Sequence, residues 1–277
     1  MSGNLDRFAE LVSREQFRVA EACLLIAEDQ YPGVDIAGCI AKLDAMAATV
    51  RGRLALDAFP EQKVAALNHY LFGELGFRGN VGAYYDPRNS YLNEVLERRT
   101  GIPITLSIVY LEVGRRLGLQ LQGVSFPGHF LVKLRLTRGQ LVLDPFAGGE
   151  PRSAADLRSR LERVLPPPLL ERADLDRYLE PATSREIVTR VLRNLKGIYL
   201  KRSALEQALA VMHRMLLVMP ESAEELRDRG LIYLRLEAFR AAAADLQNYL
   251  RRRPDAPDAV DMHAKLVELK AAAARLQ

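Results

Sequence analysis

The 277-residue chain contains no tryptophan, two cysteines (Cys23 and Cys39) and no run of 18 uncharged apolar residues. Two cysteines exclude a disulfide scaffold. Both stand in apolar helical patterns, which reads as buried thiols. Without a long apolar run, no membrane span is expected. The opening MSGNLDRFAELVSREQFRV carries charges every few positions, unlike a secretory leader, so the cytoplasm is the expected compartment. There is no GxxxxGK[ST] phosphate loop, no GxGxxG after a strand, no HExxH and no paired CxxC. Four scattered histidines (His69, His129, His213 and His263) do not form a zinc set. No metal or cofactor is expected.

Basic residues number 39 against 35 acidic, a net charge of +4, with 32 Arg to 7 Lys. The signs alternate through most of the chain, which describes a solvated surface better than a nucleic-acid footprint. At 49% hydrophobic and 27% charged residues, extensive disorder is excluded. The length suits one large domain or two modest ones.

Apolar spacing predicts a helix over residues 5–28, a second from Val34 to Val50 and a third from Glu61 to Leu75 opened by Pro60. The loop FRGNVGAYYDPRNS and a short helix from Tyr91 to Arg99 follow. Residues 105–117 read as a buried helix stopped by Gly118. Residues 119–126, 130–136 and 140–144 alternate as strands, the last two joined by a Thr137-Arg138-Gly139 turn. This order predicts an α+β domain over 1–165, helix-rich with a small antiparallel sheet. Pro166-Pro167-Pro168 reads as a linker, and residues 169–277 read as all helix.

That last part repeats. Pro220 and Pro254 stand 34 residues apart. At the same spacing lie Tyr199 and Tyr233, Ala204 and Ala238, Leu205 and Phe239, Ala208 and Ala242, and Leu216 and Leu250. Gly197 and Gly230 precede the tyrosines. The period and residue types resemble the tetratricopeptide repeat, with a trailing helix near 259–276 as its cap.

Chemistry concentrates between Asn89 and Gly149. The phrases GIPITL, PGHFLVK and LDPFAGG place a helix start, a histidine at a strand start and an Asp-Pro at a strand end. This resembles the transglutaminase-like superfamily, a papain-related thiol fold. With the helical repeats behind it, nearly the whole chain resembles the bacterial SirB-type transglutaminase-like/TPR proteins. The resemblance implies a triad of a Cys opening the helix, a His and an Asp. His129 and Asp144-Pro145 match the last two. No Cys lies near the helix start, where Thr105 or Ser107 stands instead.

A thiolate at a helix N-terminus is stabilised by the dipole and by unpaired N–H groups. A threonine hydroxyl is far less acidic, and an internal one has no terminal amine as its base. Thr105 could instead cap the helix. A symmetric two-residue turn at Arg138-Gly139 would set Asp144 opposite Lys133, so reaching His129 requires an asymmetric loop or a bulge.

Two functional readings follow. The first is a cytoplasmic protein-interaction module on a transglutaminase-like core that lacks its catalytic Cys. In it, the repeats would bind an acidic protein or peptide partner through Arg190, Arg193, Asn194, Arg227 and Arg235 on the first helix of each pair. The second is a hydrolase or acyltransferase acting on an amide, with Thr105 or Ser107, His129 and Asp144. An oxygen nucleophile hydrogen-bonded to His129 Nε2 would favour the second. The basic stretch Arg185–Arg202 could meet an acidic partner or RNA, but a solvated helix face explains it better.

Overall fold

A computed structural model describes residues 2–137, 139–171 and 174–275. Arg138 of the expected turn and Leu276 and Gln277 at the chain end lie outside them. The chain forms two compact units, Met1–Val191 and Leu192–Gln277. The division expected at the proline run, 1–165 against 169–277, lies earlier than this one. Pro167 and Pro168 open a short helix instead of an extended linker, and residues up to Val191 remain with the first unit.

The first unit begins with α1 (Ser2–Ser13) and α2 (Val19–Ala27). The single helix expected over 5–28 is therefore two. Between Val12 and Val19 the sequence offers Arg, Glu and Gln where a continuous apolar stripe would need hydrophobes, and residues 13–16 are exposed. α3 (Ile36–Arg51) is capped by Asp35, whose carboxylate accepts the Gly38 N–H. α4 (Pro60–Asn68) starts on proline and winds into a π-turn over His69–Glu74. The next elements are β1 (Arg78–Gly79), α5 (Leu92–Arg98) and β2 (Thr100–Gly101), with β1 and β2 pairing in parallel.

α6 (Pro103–Arg116) is the central element, with 11 of its residues buried. Such a helix is apolar nearly all round because other elements cover every side. Against it lies an antiparallel sheet of β3 (Leu121–Val124), β4 (Leu131–Arg135), β5 (Gln140–Asp144) and β6 (Glu150–Pro151), in that order. α7 (Ala154–Val164), α8 (Pro167–Leu170) and α9 (Leu175–Tyr178) follow. Residues 179–182 return along β3, where Ala182 N–H donates to Gly123 O.

β4 and β5 are in the register Val132↔Leu143, Lys133↔Val142 and Arg135↔Gln140. Lys133 thus faces Val142, not Asp144, because the connection spans 136–139 and not two residues. The Lys133 side chain is buried, and its Nζ donates to Leu179 O at 2.6 Å.

α10 (Ser184–Lys201) contains the division between the units. α11 (Leu205–Val218), α12 (Ala223–Arg235), α13 (Phe239–Arg252) and α14 (Ala259–Arg275) complete the second. The 34-residue period is visible in the backbone. Ser203 and Glu237 both adopt positive φ (53° and 56°) between paired helices. Ala204 and Ala238 N–H both donate at 2.9 Å to Tyr199 O and Tyr233 O. Ala208 and Ala242 are fully buried. A Cβ at Gly230 would stand 3.0 Å from Leu246, so its hydrogen lets α12 and α13 approach closely.

Candidate functional site

β4 begins at Leu131 and β5 ends at Asp144, and continuing their register sets those two residues opposite each other. His129, two residues before Leu131, is then Asp144's diagonal neighbour, within side-chain reach. His129 Nε2 and Asp144 Oδ1 are 2.8 Å apart, with both side chains buried. The four-residue 136–139 loop achieves this pairing without a bulge. The Phe126-Pro127-Gly128-His129 turn closes through His129 N–H to Phe126 O, with Gly128 at φ +68°.

Asp144 also caps the 3₁₀ turn Pro145–Ala147, accepting the Phe146 N–H at 3.2 Å. Its Oδ2 has Arg152 Nε at 3.5 Å and Arg160 Nη2 at 3.6 Å. Burial pushes its carboxyl upward, but the His129 hydrogen bond and the charges of His129, Arg152 and Arg160 bring it below the usual carboxylate range. An ionised Asp144 fixes the proton of a neutral ring on Nε2 and leaves the lone pair on Nδ1. The Phe146 ring meets His129 edge-on at 5.9 Å, and Tyr84 stands 6.3 Å beyond. A Cβ at Gly79 would overlap the Phe146 ring at 2.5 Å, so this glycine gives Phe146 its place beside the histidine.

Thr105 is buried in the first turn of α6. Its Oγ1 accepts the Ile102 N–H at 3.1 Å and lies 2.7 Å from Asn89 O and 3.2 Å from Ile102 O, which can accept its proton. The hydroxyl thus serves the helix start and ties it to the preceding loop. Asn89 is fully buried and holds that loop through Ala83 O and Tyr84 O. Ser107 is fully buried, and its Oγ has no hydrogen-bond partner. Among the described residues neither hydroxyl bonds to His129, whose Nε2 is taken by Asp144. Thr105→Ala should destabilise the protein by about 1–2 kcal/mol through the lost cap, whereas Thr105→Ser should cost little, as measured by urea unfolding.

Cys23 and Cys39 are free and buried, on α2 and α3, and burial pushes the Cys23 thiol up to about 12. Asn93, on α5, is half-buried with its Oδ1 enclosed and without a hydrogen-bond partner.

The arginines expected in a groove separate. Arg190 belongs to the first unit, where its Nη2 lies 3.4 Å from His129 O and its Nη1 3.5 Å from Ser125 Oγ. Arg227 is held by Asp228 at 2.8 Å and Asp258 at 3.0 Å, over the Tyr249 ring. Arg193 and Arg235 are exposed and Asn194 half-buried; neither arginine makes an ion pair among the described residues. Unnoticed in the sequence were Lys196, bonded to Glu225 at 2.6 Å and Asp228 at 2.7 Å, and the Phe146, Arg152 and Arg160 surroundings of the His–Asp pair. No Lys–Glu or Arg–Asp spacing along the chain signals these, since the partners meet only after folding.

A helix, a histidine strand and an aspartate strand in this order are what the resemblance to the transglutaminase-like superfamily implies. That superfamily matches residues 37–193, and a tetratricopeptide repeat matches 195–266. A UPF0162 protein of Xylella fastidiosa is 42% identical over 258 residues, covering 93% of this chain and 92% of the relative. A UPF0162 protein of Pseudomonas aeruginosa is 30% identical across 94% of both chains. Protein SirB1 of Salmonella typhimurium is 30% identical over 71% of this chain and 72% of its own. The chain belongs to the transglutaminase-like superfamily, in the bacterial family of SirB1 and UPF0162 proteins. Among the described residues no helix is long and apolar enough to cross a membrane.

Proposed function

We propose that the protein is a protein-interaction module of the bacterial cytoplasm, in which a transglutaminase-like unit without a catalytic thiol is joined to tetratricopeptide repeats that bind an acidic protein partner. The observation that carries the first half is Thr105, whose hydroxyl is bound up with Ile102 and Asn89 at the start of α6. A hydroxyl so engaged is a poor nucleophile, and the two cysteines sit on other helices with their thiols buried. The pairing of His129 with Asp144 favours a second reading, a hydrolase or acyltransferase using Thr105 or Ser107. Among the described residues neither hydroxyl bonds to the ring.

For the partner surface, Arg193, Asn194 and Arg235 carry the proposal within the second unit. Arg227 contributes by ordering Asp228 and Asp258, and Arg190 acts beside His129. Exposed charges of this kind are screened by salt. The test is capture of partners from a bacterial lysate by the full chain, followed by affinity measurements on the captured protein. An Arg193→Glu/Arg235→Glu variant should bind about tenfold more weakly, a loss of about 1.4 kcal/mol. Wild-type binding should weaken as salt rises, and His129→Ala should bind normally. A partner indifferent to both charge reversals would refute the assignment. Amide hydrolysis abolished by His129→Ala would favour the second reading.

A further inference from the structure

We propose that the cavity between Arg152 and α7 is an oxyanion site that takes one phosphate group. The cavity has a volume of about 140 Å³ and is lined by Arg152, Asp156, Leu157, Ser159, Arg160 and Arg163. That is the space of about four or five waters, enough for a tetrahedral oxyanion and too little for a nucleotide.

The fold brings the three arginines together by two routes. Arg152 N–H donates to Val142 O at 2.8 Å, so its backbone extends the sheet edge. Ser153 then caps α7, and positions 156, 160 and 163 fall on one face of that helix at spacings of four and three. Leu157 and Leu161 are buried in the core, which holds the helix in this rotation.

Among the described residues, the carboxylates near these guanidinium groups form ion pairs at 3.2–3.6 Å. Asp144 Oδ2 stands 3.5 Å from Arg152 Nε and 3.6 Å from Arg160 Nη2, beyond good hydrogen-bond length. Arg152 Nε is buried with no acceptor. Its Nη2 lies 3.2 Å from Glu150, a largely exposed side chain. Arg163 makes no ion pair among the described residues and donates only to Ser159 O, at 3.3 Å. The one acid in the lining, Asp156, is engaged by Ser153 N–H at 2.9 Å and by Ser153 Oγ at 2.7 Å.

In the repeat unit, by contrast, Arg227, Arg229 and Arg253 each hydrogen-bond a carboxylate at 2.7–3.0 Å. Three guanidinium groups line the cavity against one carboxylate of the lining, Asp156, with Asp144 and Glu150 beside Arg152 and Arg160, and an oxyanion would add to the counter-charges of these groups. Their planar forks match phosphate oxygens two at a time. The ligand is either inorganic phosphate or the phosphate of a monoester, which share this chemistry.

The test titrates the full chain with inorganic phosphate and, separately, with O-phosphoserine. Ionic strength is held with chloride, and binding is read by calorimetry and by phosphorus NMR line width. Saturable binding is expected in at least one arm, and the tighter arm identifies the source. Arg160→Gln/Arg163→Gln should lose at least about tenfold in affinity. Both side chains reach solvent, so this variant should melt within a few degrees of wild type. Arg158→Gln, exposed on the same helix outside the cavity, should bind as wild type does. Absence of saturable binding in both arms, or equal binding by the double variant, would overturn the site.

Discussion

Asp144→Ala should lower the stability of the protein by about 3 kcal/mol or more, the cost of breaking a buried charged pair from one side. The substitution removes the acceptor for His129 Nε2, the cap for the Phe146 N–H and the carboxylate 3.6 Å from Arg160 Nη2. Asp144→Asn keeps both hydrogen bonds in neutral form and should cost less, about 1–2 kcal/mol. The pH dependence separates charge from geometry. The folded-state carboxyl titrates below its unfolded value, so its contribution is complete above about pH 4. It is lost as pH falls through the folded value. The wild-type advantage over Asp144→Asn should therefore be constant from neutral pH down to about 4 and shrink below it. Urea unfolding followed by circular dichroism across that range measures it. An advantage that persists unchanged well below pH 4 would show that the carboxylate charge plays no part.

The second large effect lies in the repeats. Asp245 is 4% exposed and receives two bonds from Arg229, at 2.7 and 2.8 Å. Burial works against the Arg229 charge, and the Asp245 contacts more than restore it. Asp245→Ala should destabilise by about 3 kcal/mol, because a half-buried guanidinium loses a bidentate partner. Replacing both residues with apolar ones of similar size, Arg229→Met with Asp245→Leu, should recover most of that loss. A double-mutant cycle by thermal unfolding tests this. If Arg229→Met alone and Asp245→Leu alone sum to the double variant, the pair carries no coupling. Arg229 also lies over the Tyr233 ring, so Arg229→Lys should recover less than the double apolar change.

The parts of the fold visible in the sequence were those that repeat or are set locally. The 34-residue period reappears in the paired positive φ values of Ser203 and Glu237 and in the buried Ala208 and Ala242. The strand over 140–144 was readable because its apolar positions alternate, and the helix before Gly118 because its residues are apolar nearly throughout. β1, β2 and β6, at two residues each, are too short for any alternation to show. The break after Ser13 was missed because apolar residues on either side mimic one helical stripe. Within the site, His129 and Asp144 were legible through the family resemblance carried by PGHFLVK and LDPFAGG. The acceptor of Thr105, Asn89 O, comes from a loop 16 residues away, and no pattern in the chain announces such a contact. Arg190 and Arg227 illustrate the opposite error. An arginine outside an apolar stripe looks available, yet each meets groups that arrive from other elements.

The 136–139 loop acts as a length standard. Asp144 takes its partner from where β5 falls against β4, and that offset depends on how many residues the connection spends. A turn made of residues 138 and 139 alone would set Asp144 opposite Lys133 in place of Leu131, moving it away from His129 while every site residue stayed the same. Which side chain Asp144 meets is therefore set partly by where the turn is centred. A comparison of relatives restricted to residue identity at 129 and 144 would overlook that variable, whereas the position of the turn residues between the two strands would report it.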